Sequence, residues 1–505
     1  MVKLKNKVTS KMRVIYWLLA IEALLVTVYT IWSIQPLFNA YFVMDDFPII
    51  DLGISFRTDP FSFLSFTWND TYRPLGFTLP GLIYLVCGLN INVFHCIGLI
   101  IHLVTALVLW RFVKRFLDPI AAFISYSLFI ASTIIVISVG YSTVAFQDEL
   151  SVLFVLLGLS TQIRSVRAYE QIARPYFSAA MFLCLALMCK ESSFGMIFSY
   201  LSMDFLNYPK AKLIDRIKRL YPFILTIAVL SLRFLVLDPR TAFLESASNY
   251  AENSFSLANL VWGLTLPFLP FAFFSPFGSF DLPSVFTLLG LIVPVVLFVI
   301  LPIFWQNRRK HILIMATGFM GTLCILSITN LNNIMQGWQH LTSLVPIMAV
   351  FGGMILCELV KKQKALGVIV AFVLMTLYIL GQRDTTKAII GDVMYFQKIE
   401  YEKVSKIKKF FGAYPPNSNI YTFDISGIPF ELLLEQFKPK QVSIKLIVVN
   451  NYQSRLLEEQ NQLLGSWGAI CDYLSKQDLS SVYFATYIPG IGWMDITSTV
   501  LEELK

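Results

Sequence analysis

The sequence predicts a polytopic α-helical membrane protein that ends in a small extracytoplasmic α/β domain. Three observations predict it. Of 505 residues, 56% are hydrophobic and 14% charged; the mean hydropathy is +0.66; and mostly apolar stretches of about 20 residues, the length that crosses a bilayer, recur from residue 13 to residue 381. After that the composition becomes ordinary. The chain therefore divides into a membrane region, 1–382, and a tail, 383–505, long enough for a small domain.

The first apolar stretch, 14–35, is too long for a signal-peptide core and lacks a clean small-residue cleavage site, so it is expected to stay as a helix. Lys and Arg cluster in six short stretches: the N-terminus through Arg13, then 111–115, 164–174, 210–219, 308–310 and 361–364. These hold 22 of the 27 basic residues before residue 382, and the positive-inside rule assigns them to the cytoplasmic face. An even number of crossings must then separate successive basic stretches. Residues 73–89 accordingly form a helix at the outer interface, and the crossings are 14–35, 92–112, 119–139, 143–162, 175–190, 192–207, 220–237, 284–305, 311–329, 341–359 and 365–381. Eleven crossings put the tail outside.

Two long outer loops, 36–91 and 238–283, are rich in aromatic residues and Pro, the composition of segments that line a cavity at the membrane surface. The outer face carries many carboxylates but only Arg57, Arg73, Lys190, Arg233 and Arg240 as cations before residue 382. In the tail we expect a basic helix at 395–411, a turn at 414–419, strands at 420–425 and 442–449, a helix near 465–476 and a strand at 481–488. Nothing in the tail has a catalytic pattern, and no repeat or nucleotide-binding Gly-rich loop occurs. The seven Cys are scattered without a CxxC pair and suggest neither a disulfide framework nor a zinc site.

Five outer features could carry chemistry. "YFVMDDFPII" places Asp45 and Asp46 side by side about ten residues beyond the first helix. Two adjacent carboxylates in a partly dehydrated site raise each other's pKa, which suits a general base for a weak nucleophile; a solvated turn or helix cap is the other reading. Arg73, in "NDTYRPLGF", is matched to a phosphate or, alternatively, to lipid headgroups. Lys190 and Glu191 interrupt more than thirty largely apolar residues and mark a tight outer turn facing a polar cavity, or an ion pair that lets the chain turn. Gln147, Asp148 and Glu149 open the fourth crossing, where a plain helix N-terminus also favours acids. Trp338, Gln339 and His340 suit sugar stacking and hydroxyl recognition, although an interfacial Trp needs no ligand.

No metal is expected: the four His lie on different elements, and His95 and His102, seven apart on one helix, are too far for an i, i+4 ligand pair, so they are taken as packing residues.

Taken in order along one membrane face, "DD" in the first loop, "YRPL" before an interfacial helix, "QDEL" opening the fourth crossing and "KES" between two crossings resemble the GT-C glycosyltransferases. The set is similar to protein O-mannosyltransferases, including the transmembrane tetratricopeptide-carrying ones, and to lipid A aminoarabinose transferases, whose comparable loop has Lys where this chain has Arg73. The resemblance spans roughly 14–360. It implies a polyprenyl-phosphate sugar donor entering from the bilayer, a protein, glycan or lipid acceptor outside, no cofactor, and metal-independent inverting transfer. Asp45 would match the general base, with Asp46 supporting it; Arg73 and Lys190 would hold the departing phosphate. Tyr72, Asp148, Glu149, Glu191, Trp338, Gln339 and His340 would contact the substrates.

The chain departs from the O-mannosyltransferases in having Asp46 where Glu is usual, no β-trefoil insert and no tetratricopeptide repeats, which leaves sugar and acceptor open. A secondary transporter, or a non-catalytic component of envelope polysaccharide assembly, are the alternatives. The location expected is a multi-pass cell membrane protein with its N-terminus in the cytoplasm, or the ER membrane if the source is eukaryotic.

Overall fold

A computed structural model describes residues 10–42, 46–62, 73–142, 145–168, 174–232, 305–328, 343–423, 442–449, 457–459, 462–476, 479–488 and 491–503. The predicted crossing at 284–305 and the loop at 238–283 lie outside these residues, apart from Trp305. The chain divides into two compact units, one of 1–38, 64–79 and 92–392, the other of 39–63, 80–91 and 393–505.

Twelve α-helices precede the sheet among the described residues: α1 (Ser10–Ser33), α2 (Phe47–Ser55), α3 (Pro74–Cys87), α4 (Ile91–Phe116), α5 (Pro119–Ile130), α6 (Ile134–Gly140), α7 (Leu150–Ala168), α8 (Arg174–Cys189), α9 (Ile197–Asn207), α10 (Leu213–Leu232), α11 (Arg309–Ile328) and α12 (Val345–Phe411). Among the described residues three segments are long and apolar enough to cross a membrane, Val14–Asn39, Ile91–Phe116 and Leu366–Arg383. A fourth results if α5 and α6, which meet at 53°, count as one crossing. Several predicted crossings form shorter helices than expected. Residues 119–139 break at Ala131–Thr133, and the stretch around Lys190 yields helices of 16 and 11 residues joined by a 3-10 turn.

Side-chain register shows how the helices of the first unit pair. Ser151 donates to the Ala186 carbonyl at 3.0 Å, and a Cβ added at Gly158 would stand 3.1 Å from the Ala179 carbonyl, so α7 and α8 run antiparallel. Tyr176, near the start of α8, donates to Asp204, near the end of α9, at 3.0 Å. The chain therefore reverses midway between them, at Lys190, whose extended backbone (φ −155°, ψ 129°) separates the two helices.

α9 in turn runs antiparallel to α11, with Ser199 donating to the Ile314 carbonyl at 2.9 Å. Glycine brings the 3-10 turn Glu191–Met196, which leads into α9, against α11: a Cβ at Gly195 would stand 2.2 Å from the Thr322 nitrogen, the small-residue packing that membrane helices use in place of a hydrophobic drive. α12 is helical throughout its 67 residues, yet a Cβ at Gly367 would meet the Leu359 carbonyl oxygen at 2.2 Å. Residues eight apart in a straight helix lie about 12 Å apart along the axis. The helix must double back across 361–366, the "KKQK" stretch that the sequence reading places between two crossings.

These registers collect basic stretches at one end of the first unit. Asp118 caps α5 by accepting from the Ile120 and Ala121 N–H groups, and also receives Arg308 at 3.2 Å and Lys361 at 2.8 Å. Burial raises the Asp118 pKa, but hydrogen bonds from Lys361, the Ala121 N–H and Cys357, with the Lys361 charge, outweigh it and hold the carboxyl below its ordinary value. Asp204, fully buried, takes Arg219 at 2.7 Å and Arg216 at 3.4 Å; its hydrogen bond raises the Arg219 pKa. The Lys190 turn lies at the opposite end of α8 and α9.

In the second unit α2 packs on the C-terminal half of α3 with glycine at the contact, since a Cβ at Gly53 would stand 2.8 Å from the Gly81 carbonyl. Tyr41 lies edge-on to Tyr401, ring centroids 5.3 Å apart. The first outer loop is thus a partner of the basic helix at 395–411.

A six-stranded sheet follows, of β1 (Asn419–Phe423), β2 (Ser443–Val449), β3 (Leu457–Glu459), β4 (Gln462–Gly465), β5 (Val482–Ile488) and β6 (Gly492–Asp495) in the order β3-β4-β2-β1-β5-β6. β1 pairs in parallel with β2 and β5, and β2 with β4; the two edge pairs are antiparallel. Helices α13 (Trp467–Leu474) and α14 (Thr497–Glu503) accompany it, and Ile470, Leu474 and Val500 pack with Tyr421, Ile447 and Phe484 in its core. β1, β2, β5 and α13 fall where the sequence places them; β3, β4, β6 and α14 are additional to that reading.

Candidate functional site

The first unit brings four of the sequence-predicted residues, Arg73, Asp148, Glu149 and Lys190, onto one turn. Residues Ala145–Glu149 form a π turn, one residue wider than an α-turn, directly before α7. All five residues are buried. Such turns displace side chains from the α-helical track and recur at functional sites. Here Arg73, just before α3, donates from Nη1 to the Gln147 Oε1 at 2.5 Å. Lys190 Nζ stands 3.3 Å from Asp148 Oδ2, and both side chains are buried, 3% and 2% exposed.

Two cations from separate parts of the chain thus meet on adjacent residues of one turn. A Cβ at Gly76 would stand 2.8 Å from Gln147 Cγ and 2.9 Å from the Cys189 carbonyl, so α3 is seated directly on the turn and on the residue before Lys190. Leu75 and Leu79 of α3 complete the seat against Leu150, Leu153 and Cys189. Beside Lys190, the Ser193 and Ser151 hydroxyls are hydrogen-bonded to each other.

The last member of the turn, Glu149, has a partner that the sequence reading missed. His102 Nδ1 lies 2.5 Å from Glu149 Oε1, with neither side chain exposed. His102 was expected to be a packing residue. It does stack on Phe129, with centroids 4.8 Å apart and planes 14° apart, but it is also hydrogen-bonded to a carboxylate, which corrects that expectation. No spacing rule links residues 102 and 149, because helix packing alone brings them together; the available signal was a His facing inward on a helix otherwise apolar there. His95 accordingly stays a structural residue, its Nδ1 2.5 Å from the Val139 carbonyl.

Arg73 and Lys190 thus bring two fixed cationic donors to one turn, Lys190 buried and Arg73 half-buried, and fixed donors in a partly dehydrated site are what bind an anion strongly.

Asp46 belongs to the second unit, where it is fully buried and precedes α2 without a side-chain cap bond to that helix. Asp46 thus stands at the N-cap position of α2 without a capping bond, and its burial rules out the solvated turn. Asp45, Tyr72, Trp338, Gln339 and His340 lie outside the described residues, as does the Glu191 side chain, although the Glu191 backbone opens the 3-10 turn Glu191–Met196. Among the described residues no group of three or more His, Cys, Asp or Glu is placed to hold a metal ion.

No protein-family model matches the chain, and no curated protein matches it. Among solved structures it is similar to ArnT from Cupriavidus metallidurans in the apo state, at 11% identity over 93% of this chain and 92% of that one, with a TM-score of 0.46. It is similar to the same protein bound to undecaprenyl phosphate, at 12% identity, 93% and 92% coverage and a TM-score of 0.44. A third similar structure is the archaeal oligosaccharyltransferase AglB from Archaeoglobus fulgidus with an inhibitory peptide and a dolichol-phosphate, at 12% identity, 92% and 69% coverage and a TM-score of 0.43.

Proposed function

We propose that this chain is a glycosyltransferase that moves a sugar from a polyprenyl-phosphate carrier to an acceptor at the outer face of a membrane, with inversion at the anomeric carbon. The observation that carries the proposal is the convergence of Arg73 and Lys190 on the buried Gln147–Asp148 turn. The outer face has few cations before residue 382, and placing two of them in one dry site is costly unless an anion uses them. A departing lipid phosphate is such an anion. Its charge grows as the bond to the sugar breaks, so fixed cations stabilise the transition state more than the ground state.

In this scheme the Asp45 carboxylate removes a proton from the acceptor hydroxyl or amine, and Asp46 supports it. The acceptor atom attacks the anomeric carbon from the face opposite the phosphate. The carbon–oxygen bond to phosphate breaks, and the polyprenyl phosphate leaves with the electron pair, held by Arg73 and Lys190. Tyr72, Glu191, Trp338, Gln339 and His340 contact the sugar or acceptor. The donor is a substrate, and the scheme assigns no step to a metal or cofactor.

The proposed topology has eleven crossings, with the basic end of the first unit in the cytoplasm, the Lys190 turn outside, and the tail extracytoplasmic where it positions an acceptor. The hairpin at Lys190, the reversal at 361–366 and the gathering of Arg308, Lys361, Arg216 and Arg219 at the other end support it.

Asp45→Asn tests the assigned base: glycosyl transfer from a lipid-linked donor should fall by about 10²-fold or more, with the melting profile of the purified protein unchanged. Full activity in that variant would refute the assignment.

A further inference from the structure

We infer that His102 is a positioning residue of the proposed transferase: through Glu149 it holds the π turn in the geometry that leaves Arg73 and Lys190 available to the donor phosphate. This rests on the reading of those two cations given above, and extends it to a residue that touches neither.

The turn is pinned at both ends by one face of α4. A Cβ at Gly98 would stand 3.4 Å from Ala145 Cβ, the first residue of the turn, and 2.7 Å from the Ser138 carbonyl. Four residues later, one helical step along the same face, His102 grips Glu149, the last residue of the turn. Between these two points lie Gln147 and Asp148, which receive Arg73 and Lys190. A carboxylate oxygen accepts, so we take His102 Nδ1 as the donor of this contact.

The pair is also poorly satisfied elsewhere. Glu149 Oε2 and His102 Nε2 are buried and find no hydrogen-bond partner among the described residues. Among those residues the carboxylate is held by the one bond from His102. A buried carboxylate that loses its hydrogen-bond donor is driven to find another, and the donors on the neighbouring residues of the turn are Lys190 and Arg73. A carboxylate bound to either would compete with the donor phosphate for it. His102 thus keeps Glu149 occupied and away from the phosphate-holding residues. The Phe129 ring of α5 stacks on His102; Arg73 and Lys190 meet the two residues that precede Glu149 on the turn.

The test uses the full chain in detergent, with undecaprenyl phosphate binding and donor KM and kcat measured on each variant. His102→Ala should weaken undecaprenyl phosphate binding by about tenfold or more and raise the donor KM more than it lowers kcat. His102→Asn, whose amide nitrogen replaces Nδ1, should rescue most of the affinity, whereas His102→Gln, which reaches the Nε2 position instead, should not. Adding Glu149→Ala to His102→Ala should also restore binding, because the competing carboxylate is gone; a residue that merely packed would give no such recovery.

Unchanged binding and KM in His102→Ala, or a double variant no better than the single one, would overturn the inference. If His102→Ala fails to fold, the Asn and Gln pair decides: equal affinities in those two would overturn it. Arg73→Ala and Lys190→Ala separate the two levels. If neither weakens binding, the transferase reading of these cations fails; if both do and His102→Ala does not, only the role of His102 fails.

Discussion

A single methyl group at Gly76 should disturb both proposed phosphate-holding residues at once. The added Cβ of Gly76→Ala would stand 2.8 Å from Gln147 Cγ and 2.9 Å from the Cys189 carbonyl, whereas ordinary contact begins at 3.4 Å. Helix α3 must therefore retreat by about 0.6 Å from the π turn, a strain of the kind that costs roughly 1–3 kcal/mol in a packed core. Arg73 lies one residue before α3 and its contact with Gln147 is 2.5 Å, so the same retreat lengthens that bond and shifts the guanidinium relative to Lys190, the neighbour of Cys189.

Misplacement by about 1 Å in an oriented site can cost about 10²-fold in rate, so a loss of about tenfold is expected here. The assay is sugar transfer from a polyprenyl-phosphate donor by purified protein, with thermal melting on the same samples. Gly391→Ala is the control: its added Cβ meets nothing within 4 Å, and replacing a helical Gly should add up to about 1 kcal/mol of stability without touching activity. Wild-type kinetics and melting in Gly76→Ala would refute the seating of α3 on the turn.

Two further outcomes follow from the bundle. Gly195→Ala would drive a Cβ to 2.2 Å from the Thr322 nitrogen, a backbone atom that cannot rotate away, so the melting temperature in detergent should drop by the equivalent of at least about 1–3 kcal/mol; unchanged melting would contradict the close approach of the Glu191–Met196 turn and α11. Asp118 has a folded pKa below its unfolded one, so its contribution is present above the unfolded value of about 3.9 and is lost as pH falls through the folded value. Asp118→Asn should therefore lower stability near neutral pH by about 1–3 kcal/mol and flatten the acid limb of the stability profile below about pH 4; an unaltered acid limb would show that Asp118 is not what senses the acid.

The sequence shows the class of this protein through its long apolar runs, and marks Arg73 and Lys190 as two of the few cations before residue 382 that fall outside the basic clusters. Both signals are local. The Lys190 turn and the 361–366 reversal were legible for the same reason, because a charge inside an apolar run must find an end of the bilayer. His102 was not legible: its partner is 47 residues away, and only the packing of α4 against the π turn brings Glu149 to it. The π turn itself leaves no mark in hydrophobic period, since "QDEL" reads equally well as the first turn of an α-helix.

In the tail, β1, β2 and β5 are apolar enough to stand out, whereas β3 and β4 are short edge strands of ordinary composition. The packing of Tyr41 on Tyr401 joins segments 360 residues apart, a pairing that no spacing rule predicts. Residues 39–63 and 80–91 of the first loop group with the tail in one compact unit, and 64–79 with the first unit.

The most direct measurement is a density map of the protein with undecaprenyl phosphate bound. The account predicts phosphate oxygens at about 2.8 Å from both the Arg73 guanidinium and the Lys190 ammonium, the distance of a charge-assisted hydrogen bond, with the prenyl chain leading into lipid. A phosphate bound elsewhere, with Arg73 still on Gln147 and Lys190 still on Asp148, would contradict it.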